Sequence, residues 1–250
     1  MTTLKRVTTR MIFAASAILV SVSYAAATPI TFFGQDLAPN NNPNAIPNSK
    51  AAQTQFLSNF SSFQVQSFDA FASGTSVTGA GITVSFGPAG NATLVGSGDG
   101  SGSVITNVAS VGAFPISSPN YLNQNFDSTL TLTFQNPQVA FGFFATDVSD
   151  SGGNFLIKIG NAAPITVLTN GQPSGNAIYF GIIDTANPFT TVVLTNSAPG
   201  SDLFGFDDFT IGTAAQVIGP SVPEPSSLTL LGIGVAGFIK SRRRRGSLAR

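Results

Sequence analysis

An antiparallel β-sandwich, with the jelly roll as the expected arrangement, is the fold class this 250-residue chain predicts. Three observations carry that reading. Apolar and polar residues alternate with period two in many short runs, which is the pattern of half-buried strands. Turn-forming clusters separate the runs. No run has the spacing of strand–helix–strand units, so a parallel sheet is not expected.

The elements follow in order. Residues 28–48 read as loop, with Pro39, Pro43 and Pro47 among several asparagines, apart from a first strand at Ile30 to Phe33. Ser49 to Phe60 is the one short N-terminal helix candidate, because Ala52, Phe56 and Phe60 recur every four residues. Asn48 or Ser49 is its expected cap. Ile82, Val84 and Phe86 then alternate with Thr83 and Ser85. Leu130, Leu132 and Phe134 alternate with threonines, and Phe155, Ile157 and Ile159 with Leu156 and Lys158. Further strands are expected at Val65–Phe71, Ala92–Val95, Val139–Thr146, Ile165–Leu168, Ala177–Ile183, Thr190–Thr195 and Leu203–Ile211. The Gly/Ser-rich stretch from Gly96 to Gly102 reads as a surface loop, and no repeat of fixed period is present.

The two ends read as processing signals. Lys5, Arg6 and Arg10 precede an apolar stretch from Met11 to Val22, and Ala25, Ala26 and Ala27 close it. That layout predicts a signal peptide over residues 1–27, cleaved before Thr28. At the other end Pro223, Glu224 and Pro225 precede an apolar run, and Arg242, Arg243, Arg244 and Arg245 follow it. A separate apolar helix is expected there. Counted from Ser226 to Ile239, it rises about 20 Å at ~1.5 Å per residue, against a bilayer core of roughly 30 Å. It is therefore short for a permanent span, and the arginines favour the cytoplasmic side. The domain reading is residues 1–27, a β-sandwich over 28–221, and a tail over 222–250.

These tail residues resemble the PEP-CTERM sorting signal of Gram-negative bacteria, with all three parts in order. The resemblance implies recognition by an exosortase-type membrane enzyme, membrane attachment through the tail before processing, and then the cell surface or an exopolysaccharide matrix. It implies a structural or adhesive component of that matrix. The alternative is a calcium-dependent carbohydrate-binding module; a glycoside hydrolase is the weaker third reading. Through Phe141–Asp150, Phe180–Asp184, Pro188–Val192 and Phe204–Ile211, the stretch from Phe134 to Gly212 also resembles calcium-containing, carbohydrate-binding-like jelly rolls found with such tails.

Between the two ends, charge is one-sided. Residues 28–221 hold two lysines, Lys50 and Lys158, against ten aspartates, a net charge of −8. Nucleic acid is excluded as a partner, because phosphate binding needs clustered Lys and Arg. The chain has no cysteine, so thiolate metal sites and disulfides are excluded. It has no histidine, which removes the commonest general base, and no enzyme activity is expected. The body has no Trp and only Tyr121 and Tyr179 beside its phenylalanines, a poor set for stacking on sugars. Calcium is the expected ion, since it takes oxygen ligands, with Asp147, Asp150, Asp207 and Asp208 as its candidate ligands.

Two acidic places stand out. Asp147 and Asp150 follow Phe141, Phe143 and Ala145. On unbroken strand parity Asp147 would sit at the rim of the core face; alternatively the strand ends first and the two aspartates open a turn. In the second, Phe204 and Phe206 share one parity and Phe209 and Ile211 the other, so the phase changes at Asp207 and Asp208. A β-bulge there would restore the apolar face and re-aim one carboxylate. Metal and structural roles are both open for that pair.

Overall fold

The computed structural model describes residues 28–96, 103–110, 112–125, 129–197 and 202–218. The signal-peptide segment, the tail with its apolar run, and Asp99 and Asp127 lie outside the described residues. Those described belong to one compact unit, Ala26–Val222. Its elements are β1 (Ile30–Asp36), α1 (Pro47–Leu57), β2 (Val65–Gln66), β3 (Thr75–Ser76), β4 (Ile82–Ser85), β5 (Asn91–Gly96), β6 (Ser103–Thr106) and β7 (Tyr121–Asn125). They continue as β8 (Leu130–Gln138), β9 (Ala140–Thr146), β10 (Phe155–Ile159), β11 (Ile165–Leu168), β12 (Ala177–Ile183), β13 (Phe189–Asn196) and β14 (Leu203–Gly212).

All pairings between these strands are antiparallel and fall into two sheets. The first runs β1-β12-β9-β14-β7-β6-β3, with β2 also on β14; the second runs β11-β10-β13-β8-β5-β4. From β7 onward the chain crosses between the sheets at nearly every step. It leaves β7-β14-β9-β12 facing β8-β13-β10-β11. That is the strand order of a jelly roll, two interlocked Greek keys, so the expected arrangement is the observed one.

Period-two alternation places the core. Leu130, Leu132 and Phe134 of β8, Phe155 and Ile157 of β10, and Val192 and Leu194 of β13 are buried between the sheets. From the first sheet Phe141, Phe143, Phe206 and Phe209 meet them. Rings 143 and 206 lie 5.7 Å apart edge to face, and rings 143 and 209 lie 5.9 Å apart. The phenylalanines are thus core fillers, and aromatic pairs at such distances add stability beyond area burial.

β9 and β12 are buried on both faces because a second apolar layer covers the first sheet. Phe56 of α1 packs on Tyr179, Phe32 and Phe60. Gly142 and Gly181 pair side by side beneath it, where an added Cβ would come within 2.9 and 2.7 Å of the Phe56 ring. Phe114, from the loop before β7, extends the same layer.

Three expectations change. The helix begins two residues early and ends at Leu57 rather than Phe60. Its N-cap position, Ile46, makes no side-chain cap, and Pro47 takes the first turn. The cap comes from β1 instead. The Asp36 carboxylate accepts the N–H of Asn48 at 3.2 Å, the N–H of Ser49 at 2.9 Å and the Ser49 hydroxyl at 2.7 Å. A carboxylate across from a helix N-terminus satisfies its free donors and its dipole together. The expected strand Val65–Phe71 stops at Gln66, because Phe68 adopts φ 63° to turn its ring inward against Phe209. Strands β3, β6 and β7 were not expected. In β7 the run Asn123, Gln124, Asn125 shows no alternation, and a buried Gln124 replaces the usual apolar residue.

Candidate functional site

The Asp207–Asp208 pair sits at a bulge. β14 pairs Asp207 with Phe144 and Thr210 with Gly142 of β9, so one extra residue is inserted there. Asp208 takes up the kink with φ 51°, in the left-handed region that Asp tolerates. Phe204, Phe206, Phe209 and Ile211 consequently all face the core. The phase change in the sequence is this bulge.

The bulge aims the Asp207 carboxylate at the loop before β7. Its Oδ2 accepts the N–H of Ile116 and of Ser117, each at 2.9 Å, and its Oδ1 accepts the N–H of Asp208 at 2.8 Å. The Ser117 hydroxyl reaches both carboxylates, at 2.7 Å to Asp208 Oδ1. Asp207 is 1% exposed. Burial pushes its carboxyl well up, the Asp208 charge adds to that, and the peptide donors pull it down. Asp208 is also raised, by burial first. Peptide donors therefore occupy both Asp207 oxygens.

Asp147 and Asp150 meet a different environment. β9 ends at Thr146, and Asp147 adopts φ 60°, so it leaves the strand rather than continuing the core face. Its N–H donates to the Asn176 carbonyl at 2.8 Å. Its Oδ1 accepts the Gly175 N–H at 2.7 Å and the Ser174 hydroxyl at 3.0 Å. Gly112, at φ 80°, lies against this carboxylate so closely that a Cβ there would overlap it. Burial raises the Asp147 carboxyl, and the Asp150 charge adds to the effect.

A third carboxylate, one the sequence did not single out, completes this corner. Asp202, just before β14, is 2% exposed and lies against the Asp150 side chain. Its Oδ2 has no partner. Burial, then the contact with Asp150, push its carboxyl up to about 7. The structure thus brings Asp147 and Asp150 together with Asp202, but not with Asp207 and Asp208. The two groups lie apart on the β9–β14 ladder, one at its end beyond the Gly205–Thr146 pair and the other at the bulge opposite Phe144. Among the described residues no three acidic side chains converge closely enough to hold a metal by themselves.

Two concave surfaces lie elsewhere among the described residues. A cleft of about 720 Å3 opens between the β1 edge and the β10–β11 and β12–β13 turns; its one carboxylate is Asp184. That carboxylate is occupied by the N–H groups of Ala186 and Asn187 and by the Asn187 amide. A shallower depression of about 310 Å3 lies on the outer face of the second sheet, over Thr83, Asn91, Thr93, Thr133 and Gln135. Among the described residues no helix is long and apolar enough to cross a membrane.

Comparison with known proteins adds a motif and a set of distant folds. The K2 cleaved adhesin domain of Lys-gingipain is 12% identical over 62% of this chain and 99% of that one, with a TM-score of 0.42. A family 29 carbohydrate-binding module variant complexed with mannohexaose is 15% identical over 62% and 94%, with a TM-score of 0.34. TmCBM61 in complex with β-1,4-galactotriose is 13% identical over 52% and 90%, with a TM-score of 0.26. Likenesses this distant say nothing about ligand or activity here. No curated protein matches the chain. Residues 221–245 match the PEP-CTERM protein-sorting motif, spanning Pro223, Glu224 and Pro225 through Arg242 to Arg245. The chain therefore carries the exosortase sorting signal at its C-terminal end, which marks it as a protein exported and sorted to the cell surface.

Proposed function

We propose that this protein is a non-catalytic, structural or adhesive component of an exopolysaccharide matrix, delivered there by exosortase-type processing of its tail. The sorting motif at 221–245 is the observation that carries this reading. The body supports it. The chain lacks histidine, and the one carboxylate in the 720 Å3 cleft is held by neighbouring amides, with no second acid to share general acid–base work. The hydrolase reading is correspondingly weaker. The tail attaches the precursor to the membrane before cleavage, and the basic cluster keeps that end inside.

Calcium remains the proposed ion; of the two expected places, Asp147–Asp150 and Asp207–Asp208, the first is the one proposed to hold it, with Asp202 added. There carboxyl faces carboxyl, Asp202 Oδ2 lacks a partner, and neither body lysine is among the charges acting on Asp202. Calcium takes six to eight oxygens, carbonyls and water among them, so two or three carboxylates need not supply the whole shell.

Deleting residues 221–250 tests the main reading. Fractionation of the native cells should show the truncated protein lost from the surface and matrix fraction. Unchanged surface location would overturn it.

A further inference from the structure

The ten aspartates of the body are not spread evenly. None lies in the six strands of the second sheet, whose single charged residue is Lys158. The described aspartates lie on strands of the first sheet or in loops. The two outer faces differ in cover as well. α1 and Phe114 close over the first sheet, whereas the outward side chains of the second include the exposed Thr83, Thr133, Lys158 and Thr166.

That open face has a regular composition. Thr83 pairs with Thr93, Thr93 with Thr133, and Thr133 with Thr191, so four threonines form one row across β4, β5, β8 and β13. The adjoining row is Val95, Thr131, Val193 and Lys158. At a strand spacing of about 4.8 Å the threonine row is roughly 14 Å long. The depression over Thr83, Thr93 and Thr133 is edged by the amides of Asn91 and Gln135.

Each threonine offers a hydroxyl that both donates and accepts, beside a methyl group. Asn and Gln amides add donors and acceptors without charge. A sugar ring presents the same pair of surfaces, hydroxyls at its edge and C–H groups on its faces. A face serving only to keep the protein wet would have been a natural place for some of the surplus carboxylates. Their exclusion leaves one broad surface where an uncharged polymer meets no ion to desolvate. An anionic polymer would still approach against a body charge of −8, which repels over a screening length of about 8–10 Å.

We propose that the open face of the second sheet, centred on Thr83, Thr93, Thr133 and Thr191, binds a neutral polysaccharide chain. This rests on the matrix reading above and names the polymer class that the body would hold. Without a Trp or Tyr platform on the face, each contact is weak, and retention comes from repeated engagement along one polymer.

The test is affinity electrophoresis of the mature protein released by cells, in gels containing dextran, galactomannan or hydroxyethylcellulose, with alginate as the anionic comparison. At least one neutral polymer should retard the protein, and alginate should not. T93V/T133V removes two hydroxyls while keeping the β-branched shape, and T133E places a carboxylate on the row. Each should weaken retardation about tenfold, whereas T54E, on exposed α1, should not. No retardation by any neutral polymer, or retardation by alginate alone, would overturn the proposal. So would retardation unchanged in both face variants. The matrix reading survives those results if tail deletion still abolishes sorting. Conversely, neutral-polymer binding with tail-independent sorting would leave the face standing and remove the matrix reading.

Discussion

The two acidic groups on the β9–β14 ladder have opposite electrostatic solutions. At the bulge, Asp207 is enclosed by donors, three of them peptide N–H groups within 2.9 Å. At the ladder end, Asp202 and Asp150 face each other, and one buried oxygen has no donor. Asp207 and Asp202 are both buried, whereas Asp150 is half-buried. What differs is the supply of donors: Asp207 receives three peptide N–H groups, whereas Asp202 keeps one buried oxygen with none. A buried charge costs several kcal/mol unless compensated. At the bulge, backbone donors offset part of that cost; at the corner, the unpartnered Asp202 oxygen leaves more of it standing.

The largest effect expected from this contrast is at the bulge. Asp207→Ala leaves three peptide donors without their acceptor, while the Ser117 hydroxyl keeps Asp208, at about 1–3 kcal/mol for each buried group orphaned. Urea unfolding should show a loss of roughly 3 kcal/mol or more. A loss below about 1 kcal/mol would mean that the loop before β7 finds other acceptors, and the contrast would collapse.

Calcium gives the next largest effect. A ligand of the native state at a hundredfold excess over its Kd stabilises by about 2.7 kcal/mol. Millimolar calcium should therefore raise the melting temperature, with chelator reversing it. Asp150→Asn should abolish the shift, whereas Asp208→Asn should leave it intact. The reverse pattern would put the ion at the bulge, and no shift in the parent protein would remove calcium at that affinity.

The smallest effect is a pH dependence in chelator. The Asp202 carboxyl is near 7 in the folded state and near ~3.9 unfolded. Between those values the folded state holds a proton that the unfolded state has lost, so stability falls as pH rises from about 4 through 7 and levels off above. After screening, the change is on the order of 1 kcal/mol between pH 5 and 8. Asp202→Asn should flatten this part of the profile. A profile that rises over the same range would show that another group dominates.

Some of this was legible before any fold was known. The parity switch between Phe206 and Phe209 placed the bulge, because period two is strict wherever one face is buried. Parity drew attention to Asp147 but could not say that the strand ends at Thr146. Asp202 gave no signal: a lone aspartate between a serine and a leucine resembles any loop residue. β7 was hidden for the opposite reason, since its polar Asn123, Gln124 and Asn125 have no alternation to read.

The order of residues along the chain accounts for what is local and periodic. It set the strands with clean alternation, the bulge, the body charge of −8 and the sorting motif at 221–245. Tertiary structure decided which distant residues meet. Asp202 reaches Asp150 across 52 positions, as their numbering shows. Asp36 caps a helix it does not belong to, and the threonine row takes one residue from each of four strands. Periodicity reports which face a side chain takes, because that depends on its own strand. Lateral neighbours depend on strand order, which the packing of two whole sheets selects.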